Sequence, residues 1–176
     1  MSSDEPMTTA QRDDVSVPAA SLIAAYESGI TVLRDAVAGM TDEEVRQRPV
    51  AGKWSTLEVV CHIADCEQFF ADRLKRAIAM NRPLLIGSDG FLYPVSLRYQ
   101  EHDLEQELSL VTVTRQQMAH VLQRIDPQAW HRTAVHSETG LVTVRQLLRH
   151  AIHHLQHHVG FIAEKRSALA AQRPER

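Results

Sequence analysis

Val144-Arg-Gln-Leu-Leu-Arg-His150-Ala-Ile-His-His-Leu-Gln-His-His158-Val-Gly-Phe-Ile162 holds five of the ten histidines of the chain within nine residues. Its apolar residues, Val144, Leu147, Leu148, Ala151, Ile152, Leu155, Val159 and Ile162, return at intervals of three and four, which makes one broad buried arc on an ideal helix. His154 and His158 fall inside the edge of that arc, between Phe161 and Ala151. His153 and His157 project to the opposite, solvent side, and His150 lies just outside the arc. Two imidazoles one turn apart on a buried face need polar partners. A shared metal ion satisfies both, because histidines four residues apart on a helix present their rings to the same point. The outward histidines, His150, His153 and His157, read as surface residues.

The same periodicity organises the rest of the chain. Leu22, Ile23, Tyr26, Ile30, Leu33 and Val37 predict a first helix from Pro18 to Met40. Thr41-Asp-Glu-Glu44 caps a short helical turn that Pro49 ends. Ser55-Thr-Leu-Glu58 is a capping box opening a second helix that runs to about Met80 and is apolar over most of its circumference, so it belongs at the centre of the fold. A third helix covers roughly His102 to Arg124, and Thr143-Val-Arg-Gln146 is a second capping box that opens the histidine helix, which runs to about Leu169. Four long amphipathic helices with no convincing strand predict an all-α fold, a four-helix bundle of up-and-down type. Connections of about 15 to 18 residues exceed the usual bundle loop, so they are expected to cover one end and shape a pocket. Residues 1–17 read as a polar N-terminal tail, 18–170 as the single domain and 171–176 as a C-terminal tail.

Composition narrows the function. A net charge of −3 offers no basic field for nucleic acid. No apolar run is long enough to span a membrane, and the first residues lack a signal-peptide pattern, so a cytoplasmic location is expected. Cys61 and Cys66 share one predicted helix on different bearings, a poor geometry for a disulfide. They read as core residues rather than nucleophiles, since no cationic neighbour lowers their pKa.

Zinc with an exchangeable position takes three protein ligands, and the helix pair supplies two. His62 is the candidate third. On the second helix it projects beside Phe69 and Cys66 at the edge of the apolar arc, with Glu58 and Asp65 nearby on the polar side. Asp65, one turn beyond His62, is a candidate to orient its imidazole. Glu58 is a candidate for the same role or for a general base, although its capping position accounts for it fully. His102, His120 and His131 carry no paired spacing. His136 is a loop residue that could enter the pocket, and Trp54 and Trp130 pack at helix starts, Trp54 being a candidate for the pocket mouth.

Trp54-Ser-Thr-Leu-Glu-Val-Val-Cys-His62-Ile-Ala-Asp65, then Phe69-Phe-Ala-Asp-Arg73, Arg82-Pro83, His136-x-x-x-Gly140 and His154-x-x-x-His158-x-x-x-Ile162, together resemble the DinB/YfiT-like family of metal-dependent proteins over about residues 20 to 167. The resemblance implies a four-helix bundle in which three histidines from two helices hold one divalent ion, with zinc or nickel as the expected metal, and His62, His154 and His158 occupy the matching positions. Phe161 departs from the pattern, since many relatives carry glutamine there, and it becomes a candidate for an apolar pocket wall. Family activities include S-transfer from low-molecular-weight thiols, related isomerisations and hydrolysis. The resemblance therefore implies a bacterial enzyme that activates a thiol or water against a small molecule, with a homodimer as a plausible assembly. A non-catalytic metal- or small-ligand-binding bundle, structural or stress-related, is the alternative. The apolar loop residues Leu84, Leu85, Ile86, Phe91 and Leu92 either cover a pocket or form a protein contact.

Overall fold

The structure, a computed structural model, describes residues 17–87, 90 and 92–172. The tail expected before Val17, Phe91 of the apolar loop and the last four positions of the C-terminal tail lie outside the described residues. Four long helices build the molecule: α1 (Ala19–Val37), α3 (Thr56–Ala79), α5 (Leu104–Leu122) and α6 (Val144–Gln172), with the single-turn helices α2 (Asp42–Arg46) and α4 (Tyr93–Ser96) in the connections. Their starts follow local chemistry. Ser55 Oγ accepts the Glu58 amide at 3.1 Å while Glu58 reaches back to the Ser55 amide at 2.7 Å. Thr143 and Gln146 repeat the exchange at the start of α6, at 2.9 and 3.1 Å, and Thr41 with Glu44 does so for α2. All three boxes are where the sequence predicts them. Asp103 caps α5 by accepting the Gln106 amide.

The four-helix bundle is as expected, and its threading refines the up-and-down reading at one step. α1 packs on α5 and α6, and α3 packs on the same two helices, so α1 and α3 occupy opposite corners. Two apolar layers give the directions. One layer holds Tyr26, Phe70, Met118 and Ala151, and the other holds Leu33, Val59, Leu108 and Ile162. Going from the first layer to the second means moving forward along α1 and α6 but backward along α3 and α5. The helices therefore run up, down, down, up, and the connection from α3 to α5, residues 80–103, returns along the bundle.

That connection contributes the first strand of a small sheet, a feature the helical reading does not contain. β1 (Leu84–Leu85) pairs parallel with β2 (Thr133–His136), which pairs antiparallel with β3 (Gly140–Thr143). The Val135 amide donates to Pro83 O at 2.9 Å and the Ser137 amide to Leu85 O at 2.8 Å. Two- and four-residue strands are too short to display a period of two, so the sequence reads as loop. Gly140, at φ +79°, takes the left-handed conformation that closes the β2–β3 hairpin at little cost to a residue without Cβ. Leu85, Ala134 and Val142 are buried in the core, and the sheet closes the end of the bundle that holds the first apolar layer.

Between the two apolar layers lies a polar one. Arg115 on α5 is fully buried. Its Nε donates to Glu67 Oε2 of α3 at 2.8 Å, one terminal nitrogen to Tyr26 O of α1 at 2.7 Å and the other to Ala151 O of α6 at 3.1 Å. The Tyr26 hydroxyl donates to the second Glu67 oxygen, and the guanidinium carbon lies 4.4 Å from the centre of the Tyr26 ring. One side chain thus links all four long helices. A guanidinium donor facing the α1 backbone requires Gly29, whose added Cβ would stand 2.1 Å from an Arg115 nitrogen.

Candidate metal centre

His62 on α3 and His154 and His158 on α6 converge where these two antiparallel neighbours pack. Ring centroids are 5.2 Å apart for His62 and His154, 4.6 Å for His62 and His158, and 4.4 Å for His154 and His158. One ring nitrogen from each lies within 4.8 Å of the others. Three nitrogens at zinc-ligand distance on a tetrahedral ion stand about 3.4 Å apart, so small side-chain rotations close the cluster. His62 and His158 are buried and His154 is half-buried.

The electrostatics favour neutral, ligating imidazoles. Burial, then the neighbouring His62 and His157 rings and the Lys165 ammonium, push His158 down to about 3. Burial, then His158 and His62, hold His154 well below the ordinary histidine value. His158 Nδ1 is buried and has no hydrogen-bond partner. An orphaned buried ring nitrogen is costly in a native protein, and here it belongs to one of three imidazoles aimed at one point. The donor set, three neutral nitrogens, fits a divalent ion of the zinc type and leaves a further position open for an exchangeable ligand.

The surroundings are mostly apolar or aromatic. Trp54 and His62 rings lie 5.1 Å apart. Phe70 meets His154 edge-on at 5.2 Å, and Phe161 meets the rings of His158 and His157 at 5.4 and 4.7 Å. Cys66 Sγ is 3.6 Å from His62 Nε2. The backbone of Gly90 lies over the His62 ring, where an added Cβ would come within 3.1 Å of it. Trp54 comes from the connection between α1 and α3, and Gly90 from that between α3 and α5. The long loops therefore shape the site, as their length suggests.

The remaining candidates fall in other places. Glu58 is buried and committed: the Arg48 guanidinium and the Ser55 amide both donate to it. Burial raises its pKa, but these hydrogen bonds outweigh burial and hold it below the usual carboxylate range. Asp65 accepts the hydroxyl of the buried Tyr99. His136 ends β2 and accepts the Glu138 amide at 3.3 Å. His153 and His157 are exposed and stacked on each other, while His150 is half-buried with its ring 5.1 Å from Phe70, so its expected place on the surface is corrected to a packing position. Cys61 is buried, and burial pushes its thiol pKa up.

Sequence reasoning did not find two clusters. The Arg115–Glu67–Tyr26 layer is one, and Cys61 with His102 and Glu107 is the other. In the latter both imidazole nitrogens are taken, Nε2 by Leu97 O at 2.9 Å and Nδ1 by Glu107 at 3.0 Å, so the cluster pins the α4–α5 connection. A signal existed for both: Glu67, Glu107 and Arg115 each sit on the apolar arc of their helix, and a charge there needs a buried partner.

The chain is similar to known proteins in sequence and in fold. The family model described as the DinB superfamily matches residues 25–162. A protein of Oceanobacillus iheyensis named "Putative metal-dependent hydrolase OB0782" is 26% identical over 134 residues, covering 72% of this chain and 75% of that protein. Among solved structures, YfiT from Bacillus subtilis, described as "a probable metal-dependent hydrolase with an unusual four-helix bundle topology", superposes with a TM-score of 0.80 at 20% identity, over 97% of this chain and 94% of that one. A mycothiol-dependent maleylpyruvate isomerase superposes with a TM-score of 0.68 at 12% identity, over 88% of this chain and 62% of the other.

Proposed function

This chain belongs to the DinB superfamily, and from that premise we propose that it is a metal-dependent enzyme acting on a small molecule, with His62, His154 and His158 as the ligands of one divalent ion. The observation that carries the reading is the buried, unpartnered Nδ1 of His158 within three converging imidazoles. A bound zinc or nickel ion would supply Lewis acidity, which makes a thiol or water reactive near neutral pH. The protein's own contribution is to keep three imidazoles neutral by burial, to orient them from two packed helices, and to limit water with Trp54, Phe70 and Phe161.

S-transfer and hydrolysis share this arrangement. The name of the Oceanobacillus relative and the description of YfiT support hydrolysis, and the mycothiol-dependent structural neighbour supports a low-molecular-weight thiol as co-substrate. No helix among the described residues is long and apolar enough to cross a membrane. With Cys61 and Cys66 not joined in a disulfide, that supports the cytoplasm as the proposed location. The exposed Leu84, Ile86 and Leu92 support a homodimer contact, which light scattering tests.

Elemental analysis of untagged protein should find one divalent ion per chain that resists brief chelation. His62→Ala and His158→Ala should lose it, while His153→Ala and His157→Ala should keep it. Tight binding that persists in both inward variants would refute the ligand set. A chelator that collapses the fold, with a cobalt-substituted form showing no exchangeable ligand, would instead favour a structural, non-catalytic site.

A further inference from the structure

Against Phe161, whose ring contacts His158, lies a buried cation that the metal chemistry does not use. Lys165 lies on α6, seven residues beyond His158, and is 2% exposed. Two helical turns keep it on the face of His158 at about 10 Å further along the axis. Its ammonium has three N–H donors. Among the described residues the hydrogen-bond acceptor it meets is Phe161 O at 3.1 Å, a carbonyl of its own helix. Among the described residues no carboxylate lies within ion-pair distance of it. Two carboxylates act on its charge from beyond that distance: Glu164, exposed at the preceding position, and the buried Glu58, already held by Arg48 and the Ser55 amide.

A second ammonium lies near the same Phe161 ring. Lys53, exposed in the loop before α3, has its Nζ 6.0 Å from the centre of the Phe161 ring, and Lys165 Nζ is 5.7 Å from the same centre. That ring in turn contacts His158. Burial lowers the Lys165 pKa; the neighbouring Glu164 offsets part of that, and Lys53 lowers it again. A buried ammonium without an anion is unfavourable, as is a like-charged neighbour. Both are relieved by one ligand carboxylate.

We propose that Lys165 and Lys53 form a carboxylate-binding subsite adjoining the three-histidine cluster, with Phe161 as the apolar platform between them, so that the substrate is a small molecule whose carboxylate lies apart from its reacting group. The assignment to substrate rests on reading the cluster as the reaction site; the binding of the anion does not.

The test is titration of the full-length, zinc-loaded protein with succinate and with the neutral succinamide, followed by NMR, in parallel with zinc content. Succinate should bind and succinamide should not. Lys165→Met should weaken succinate by about tenfold or more, the range of a charge-assisted hydrogen bond, and Lys53→Met should weaken it by a smaller factor, both with zinc content unchanged. Lys165→Arg should retain part of the affinity. Because Lys53 is exposed, its variant decides the matter should the Lys165 variants not fold. Succinate affinity equal in the lysine variants and the parent, which is the signature of direct coordination to zinc, overturns the proposal. So does equal binding of the two probes, or no binding of succinate at about 50 mM, far above a millimolar Kd. Lysine-dependent succinate binding in a protein that takes up no zinc upholds the subsite and refutes the metal reading.

Discussion

Replacing Arg115 with methionine removes the cation of the central polar layer at nearly constant length. Three protein partners lose their donor: Glu67, Tyr26 O and Ala151 O. Glu67, 2% exposed, is left with the Tyr26 hydroxyl. Breaking one side of a buried ion pair costs about 3–5 kcal/mol, and at about 2–4 °C per kcal/mol for a domain of this size the melting temperature should fall by roughly 10 °C. The loss has a characteristic pH dependence. Burial already raises the Glu67 pKa, and Arg115 and Tyr26 pull it back, so the variant raises it further. A carboxyl whose folded pKa exceeds its unfolded value adds stability below the unfolded value and loses it as pH rises through the folded one. The variant should therefore recover as pH falls towards the ordinary carboxyl range, by up to about 1.4 kcal/mol per unit. Urea unfolding followed by circular dichroism, on metal-free protein at several pH values, measures both effects. Arg115→Met with Glu67→Met should be more stable than Arg115→Met alone, since no charge remains buried. A single variant that loses less than about 1 kcal/mol, or a double variant in which the two losses simply add, would refute the account of this layer.

Three further outcomes follow from the geometry. In metal-free protein the depressed pKa of His158 predicts that stability, intact above about 6.5, declines as pH falls towards about 3, because the unfolded chain takes up the proton first; His158→Gln should flatten the slope in a pH series of urea midpoints. Gly29→Ala should destabilise by about 1–3 kcal/mol through overpacking, given the 2.1 Å approach to Arg115, and calorimetry should show the defect relieved in an Arg115→Met background. Ser55→Ala should cost about 1 kcal/mol, because it removes one half of the box that opens α3; an unchanged melting temperature would show that the Glu58 pairing with Arg48 alone defines that end.

Local rules account for what the sequence revealed. Capping boxes declare themselves within four residues, so Ser55 and Thr143 place the two helices that carry the histidines. Helical bearing separates His154 and His158 from His153 and His157 without any tertiary information. Long-range partners are not local. His150 borders the apolar arc, and only the presence of Phe70 opposite it decides that it packs inward. The short strands at Leu84–Leu85 and Thr133–His136 exist because each supplies the other's backbone bonds. The direction of α5 follows from how residues 80–103 travel, and no pattern inside α5 encodes it. Asp65 looks available beside His62 in projection until Tyr99, brought in by the 3-10 turn at Tyr99–Glu101, takes its oxygen.

The three imidazoles come from positions 62, 154 and 158, on helices that adjoin in space but are separated in sequence by the whole of α5 and the sheet. During synthesis the first of them waits, solitary, until the last helix has emerged and docked. Any ion that needs all three can bind only once α6 has docked, so occupancy would record that α3 and α6 have met. Binding free energy at that point is withheld from partly built intermediates and given entirely to the complete fold. The metal would then act as a late clasp, holding α6 against α3 most strongly in the state where the substrate site exists.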